Sequence, residues 1–274
     1  MSVVIQSGFT GNAQPIDQPR ICFDKHTATA TASGTASGYN AALVTDGETW
    51  SLWRASTFTS TLTITFGSNQ STNYAALGAH NLGSGSSDVQ LQTSTDGTTF
   101  VNATGISSHS PTDDSAIVWL FETASLRAIR FSFSGGFLPP TIGVAQAGEV
   151  LEMPQLSVFT GLPISESKQV RYRHQQSITG DVLGRAVEGA DLRFDMTVQN
   201  LPETFRAAAG DITWKGFINH VDNTGPFFIA AKPESYPDDV AYARATERPR
   251  FNRERPNLNN SGAVTFQCMG YAAP

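Results

Sequence analysis

Trp50 and Arg54 stand close together just after an Asp46-Gly47 turn. An aromatic ring beside a guanidinium can stack on a sugar face while the charge bonds hydroxyls or a carboxylate. His80 and Asn81, in GAHNLGSG, offer further groups for hydroxyls, or equally the side chains of a turn bonded to its own backbone. Asp113-Asp114 sits in the loop SSHSPTDDSA, where paired carboxylates either face water or begin a calcium site, a cation that wants six or more oxygens. Calcium is the one cofactor these residues raise. A basic run, Arg244, Arg248, Arg250, Arg253 and Arg255 with Glu247 and Glu254 among them, reads either as a solvated loop or as a subunit interface, docking on an acidic neighbour. No GxSxG, HExxH, CxxC, P-loop or dinucleotide fingerprint occurs, so the expectation is a protein that is not an enzyme.

The elements that must hold these residues read mainly as β. Thr61 to Phe66 and Val89 to Thr93 alternate polar with apolar, the period of a strand with one buried face. Asp46-Gly47 and Asp96-Gly97 supply tight turns. Ile117 to Phe121, Leu126 to Phe133 and Ile142 to Leu151 read as later strands, and the small, polar stretch from Thr27 to Gly38 as a surface loop or edge strand. In the second half, Tyr172 to Gln175, Leu192 to Val198 and Val264 to Met269 alternate. Pro202 opens a helix over 202–221 with a break at Gly210, since proline's missing N–H is not needed in a first turn.

The order of these features, a DG turn, Trp, a strand closing on Phe66-Gly67, ALGAHNLG, then STDGTTF, resembles the discoidin-like (coagulation factor 5/8 type C, galactose-binding-like) domain over residues 20 to 152. Phe66 and Phe100 stand where that family has Leu and Trp. The resemblance implies a jelly-roll β-sandwich, with Trp53 in its core and Trp50 stacking on a ligand or packed. It also makes Trp50, Arg54, His80 and Asn81 the candidate glycan-binding residues. Residues 150 to 274, with a helix, PFFIA and YPDDVAYAR, resemble distal-tail and tail-tip structural proteins of long-tailed bacteriophages. That resemblance implies a homo-oligomeric ring, three- or six-fold, with tail tube and hub proteins as partners. Three segments follow: an N-terminal arm (1–19) kept extended by its prolines or holding a first strand, the sandwich (20–153), and a β-rich assembly domain with one helix (154–274).

At 274 residues the chain suits two ordinary domains. A net charge of −6 argues against nucleic acid, whose binders need a clustered positive surface. No apolar window of about 18 residues exists, and MSVVIQSGFTGN lacks a signal-peptide build, so no membrane insertion is expected. Cys22 and Cys268 read as buried, reduced thiols. Together these favour a virion structural protein assembled in a bacterial cytoplasm and contacting host surface glycan. The alternative is a carbohydrate-binding protein unrelated to a virion.

Overall fold

The computed structural model describes residues 3–159, 161–253 and 261–272, with the side chains of residues 182, 183 and 253 left aside. The protein is mainly β. The first half contains β1 (Val3–Ile5), β2 (Arg20–Cys22), β3 (Ala28–Ala32), β4 (Trp53–Arg54), β5 (Ser60–His80), β6 (Ser87–Ser94), β7 (Val101–Asn102), β8 (Ile117–Gly135), β9 (Thr141–Gly148) and β10 (Leu151–Glu152). The second contains β11 (Ser157–Phe159), β12 (Lys168–Gln176), β13 (Val182–Pro202), α1 (Glu203–Ala207), α2 (Trp214–Asp222), β14 (Phe227–Lys232), β15 (Tyr236–Ala245), β16 (Arg250–Arg253) and β17 (Ser261–Tyr271).

One sheet makes the sandwich by folding over on itself. The long strands β5 and β8 pair antiparallel, but their register slips between Thr65 and Gln70 and again between Thr72 and Tyr74. Ser60 to Phe66 thus lies in one layer with β3, β6 and the end of β8, while Tyr74 to His80 lies in the other with β9 and the start of β8. Leu62, Ile64 and Phe66 from the first layer meet Ala75, Leu77, Trp119 and Ile142 from the second in one core. The expected strands Ile117 to Phe121 and Leu126 to Phe133 are the two limbs of β8.

The second layer has no free face. Tyr74, Ala76, Val118, Leu120 and Val144 point away from the sandwich core and pack on Cys22, Phe228, Ala230, Val240 and Tyr242 of the second sheet. That sheet runs β10-β2-β14-β15-β17-β13-β11, with β12 on β13 and β16 on β17. Its far face carries a third core under α2, where Phe217 meets Phe227 at 5.1 Å and Phe266 at 5.9 Å between ring centroids. Strands covered on both sides read as continuous apolar runs, YAALGA, IVWLF and FFIAA.

Three features of these segments have physical reasons. The N-terminal segment holds a first strand, the second of its two readings: β1 pairs parallel with β8, and the backbone N–H groups of Asn12, Ala13 and Gln14 all donate to the Glu152 carboxylate. The ends of the 20–153 segment, β2 and β10, pair with each other, and β2 pairs with β14, so both belong to the second sheet. The helix over 202–221 breaks as expected near Gly210, which takes φ +125° after Ala208 turns extended, and Thr213 Oγ1 accepts from the Gly216 N–H to start the second helix. Cys22 and Cys268 are buried free thiols, one between the sheets and one in the far core.

Candidate functional site

Four loops gather at the end of the sandwich where β9 begins. The Ala36 N–H donates to the Arg54 carbonyl at 2.9 Å, Ala55 to Pro140 at 2.8 Å, and Phe137 to Gly85 at 3.0 Å, tying together the segments around residues 36, 55, 85 and 138. The first DG turn forms as expected: Gly47 sits at φ +89°, and Asp46 accepts from the Glu48 N–H and the Ser51 hydroxyl, both at 2.7 Å. The second turn is tighter in charge. Asp96 accepts from the Thr98 and Thr99 N–H groups and the Ser94 hydroxyl, which hold its carboxyl well below the usual range.

The four candidate glycan-binding residues divide into two kinds. Trp50 is 79% exposed and Arg54 is exposed at the edge of β4, whereas Trp53 between them is fully buried, with its indole N–H on Thr35 Oγ1 at 3.0 Å. His80 ends β5 and Asn81 follows it, and both side chains bond to backbone, the second of the two readings their sequence offers. His80 is 4% exposed, and its Nδ1 accepts from the Leu82 N–H at 3.3 Å; burial pushes its pKa down to about 4 against the opposing pull of Asp114. Asn81 donates to the Pro139 carbonyl at 3.1 Å and accepts from the Thr141 N–H at 2.7 Å, which ties its amide to the backbone on both sides. The chain turns inward here because Ala79 takes φ +52°, crowding Gly143, where a Cβ would come within 2.8 Å of the Ala79 methyl.

The register still gathers part of the set. Arg54 pairs with Thr141 on one side, and Asn81 brackets the same Thr141 on the other, so Arg54 is set beside the start of β9 as an exposed cation. Phe137, 64% exposed, completes the picture at this end, with Tyr39 and Phe58 half exposed on neighbouring loops. Phe137 was legible in retrospect: it lies in GGFLPP, after Gly135 and Gly136 at φ +69° and +77° and before two prolines, a context that cannot carry a core strand residue.

Asp113 and Asp114 spend oxygens on backbone. Asp113 accepts from the Ser115 N–H and Asp114 from the Ser84 N–H, both at 2.9 Å. Among the described residues, no three His, Cys, Asp or Glu side chains converge on a metal-sized space.

Two of the five arginines pair within the chain. Arg244 bonds Glu48 of the sandwich at 3.0 Å across the junction, beside the Tyr242 hydroxyl on the Gly47 carbonyl at 2.6 Å. Arg248 pairs with Asp222 of α2 at 3.1 Å, and Arg250 is exposed on β16 over a groove of about 810 Å³ floored by Trp214 and Phe251. Arg253 ends β16, and Arg255 lies outside the described residues.

No family model and no curated protein matches the chain. Solved structures do. Chitosan-binding module 1 of a chitosanase/glucanase from Paenibacillus sp. IK-5 is 20% identical over 46% of this chain and 97% of that one, with a TM-score of 0.38. A module from Clostridium perfringens, CpGH89CBM32-5, in complex with GalNAc-beta-1,3-galactose, is 14% identical over 44% of this chain and 95% of that one, TM-score 0.39. The family 32 carbohydrate-binding module of C. perfringens NanJ, in complex with galactose, is 13% identical over 47% and 98%, TM-score 0.38. Each likeness covers less than half of this chain. The sandwich is assigned from the chain's own strand register and burial.

Proposed function

We propose that this chain is a non-catalytic structural subunit of a phage tail tip, present in several copies, whose sandwich contacts host glycan through the loops at one end. The observation that carries the glycan half is Trp50, a ring 79% exposed on a loop fixed by the Asp46 turn and the Glu48–Arg244 pair, followed by the exposed Arg54. A water-facing indole leaves apolar area that a stacking ligand would cover. The tail half is supported by the resemblance of PFFIA and YPDDVAYAR, here the paired strands β14 and β15. Single-site sugar affinity would be weak, and several linked copies make it effective by raising local concentration.

A glycan array on the purified oligomer, run beside Trp50→Ala and Arg54→Ala, tests the reading. The expected outcome is binding by the parent chain that drops by at least about tenfold in Trp50→Ala, the size of one stacking contact. Equal binding by both variants overturns the site, and binding by a chain that stays monomeric favours a glycan-binding protein outside a virion.

A further inference from the structure

The sandwich covers only part of the second sheet. Its outward layer packs on β2, β14 and β15 through Cys22, Phe228, Val240 and Tyr242, and among the described residues that core takes nothing from β13 or β17. Where the cover ends, the near face of β13 and β17 borders a cavity of about 420 Å³, bounded on the sandwich side by the first DG turn at Gly47, Glu48 and Thr49. A space of that size lies at the small end of ligand pockets. The strand period gathers charge on this face. Asp191 and Arg193, two apart on β13, pair in register with Tyr271 and Met269 of β17, and Met269 pairs in turn with Arg244 of β15. Arg171 of β12 stands opposite Gly189 of β13, whose missing side chain leaves room for the guanidinium: a Cβ there would come within 3.3 Å of Nη2. All of these but Gly189 line the cavity.

The charged groups do not satisfy one another. Glu48 takes Arg244 at 3.0 Å and Asp191 Oδ2 takes Arg193 at 3.1 Å, which leaves Arg171 without a carboxylate partner among the described residues. Three arginines against two carboxylates give the lining one positive charge in excess, in a chain of net charge −6. Asp191 is 8% exposed, and among the described residues its Oδ1 has no hydrogen-bond donor. A buried carboxylate oxygen costs free energy until a donor reaches it. We propose that this cavity binds a small hydroxylated monocarboxylate, a sugar acid by class, with its carboxylate on the Arg171 guanidinium and a hydroxyl donating to Asp191. The guanidinium fork matches a carboxylate with two parallel bonds. A neutral sugar leaves Arg171 unmet, and a phosphate dianion brings more charge than the lining has in excess. The cavity is separate from the Trp50 loop and does not depend on it. Because its walls come from both sheets, a bound ligand also ties the sandwich to the second sheet.

Isothermal titration calorimetry of the full chain with glucuronate, glucose and glucose 6-phosphate compares one ring bearing a carboxylate, no charge and a phosphate. Glucuronate is expected to bind once per chain, at least about tenfold tighter than either of the others, to weaken with salt and to raise the thermal midpoint. Arg171 is exposed, so Arg171→Ala leaves the fold intact, and it should weaken glucuronate binding by at least about tenfold, the size of one lost charge-assisted contact. Asp191→Asn should weaken it as well, with circular dichroism confirming that this buried variant is folded. A parent that does not bind glucuronate overturns the proposal, as does an Arg171→Ala variant that binds it as the parent does. Equal or tighter binding of glucose or glucose 6-phosphate overturns it too. Binding that Trp50→Ala abolishes and Arg171→Ala retains would put the acid on the sandwich loops, so that this cavity falls while the loop reading stands.

Discussion

β14 and β12 are both antiparallel strands of the same sheet, yet they meet opposite surroundings. Phe227 to Ala231 is buried on both faces, under α2 on one side and against the sandwich on the other, with Phe228 and Tyr242 4.6 Å apart between ring centroids. Of Lys168 to Gln176, every residue but the half-buried Val170 is exposed. The contrast shows that strand formation and strand burial have different causes here. Ladder hydrogen bonds make both strands, but only β14 has two apolar partners inside the chain. Where a strand lacks them, its side chains are chosen for water or for another molecule.

The largest expected effect lies at the covered end of that contrast. Phe228→Ala removes a ring from the shared core, where Gly78 approaches it so closely that a Cβ would lie 3.2 Å from its Cζ, and should destabilise the protein by about 3–5 kcal/mol. Urea unfolding of the full chain, read by tryptophan fluorescence and circular dichroism together, should show one transition in the parent. Two separate transitions would mean that the interlayer core does not couple the halves, and the comparison would break there.

Glu152→Gln sharpens the same point from the polar side. Arg20 is fully buried, its Nη2 bonded to the Gln14 and Pro15 carbonyls at 2.8 Å, with the Glu152 carboxylate 3.9 Å away as its counter-charge. Removing that charge leaves a cation stranded and weakens three backbone contacts, a loss of about 3 kcal/mol in the unfolding free energy. Glu188→Gln in the exposed hairpin should fall within about 0.5 kcal/mol of the parent. A pair of variants with equal effects would contradict the difference in burial.

Acid extends the contrast to titration. Since burial lowers the His80 pKa to about 4 from 6.5, the unfolded chain takes up a proton first as pH falls. The associated stability is present above about pH 6.5 and is lost progressively down to about 4, roughly 3 kcal/mol in all. Urea midpoints followed across that window should decline in the parent and flatten in His80→Gln; a parallel decline in both would place the acid sensitivity elsewhere. The smallest effect is expected from Val187→Ser in the hairpin, under about 0.5 kcal/mol on the isolated chain. A larger loss there would show that the hairpin packs against its own body.

Much of the local structure was written in residue order. Alternation in Val89 to Thr93 and Leu192 to Val198 marked β6 and β13, and the two Asp-Gly pairs marked turns whose glycines take positive φ. Burial of Trp53 beside the exposed Arg54 follows the period of a strand, because a two-residue strand places neighbours on opposite faces, while Trp50 lies in the loop before it. Tertiary structure alone decided the rest. A period of two reports which residues share a face but not what covers it, so the joining of the halves through Phe228, the passage of β2 into the second sheet, and the inward turn of His80 were set by partners at least 60 residues away in β9, β10 and β14. Likewise Arg244 and Arg248 looked free in sequence. Their charges are met by Glu48 and Asp222, brought near only by the fold, because an ion pair forms across whatever distance in sequence the packed backbone closes.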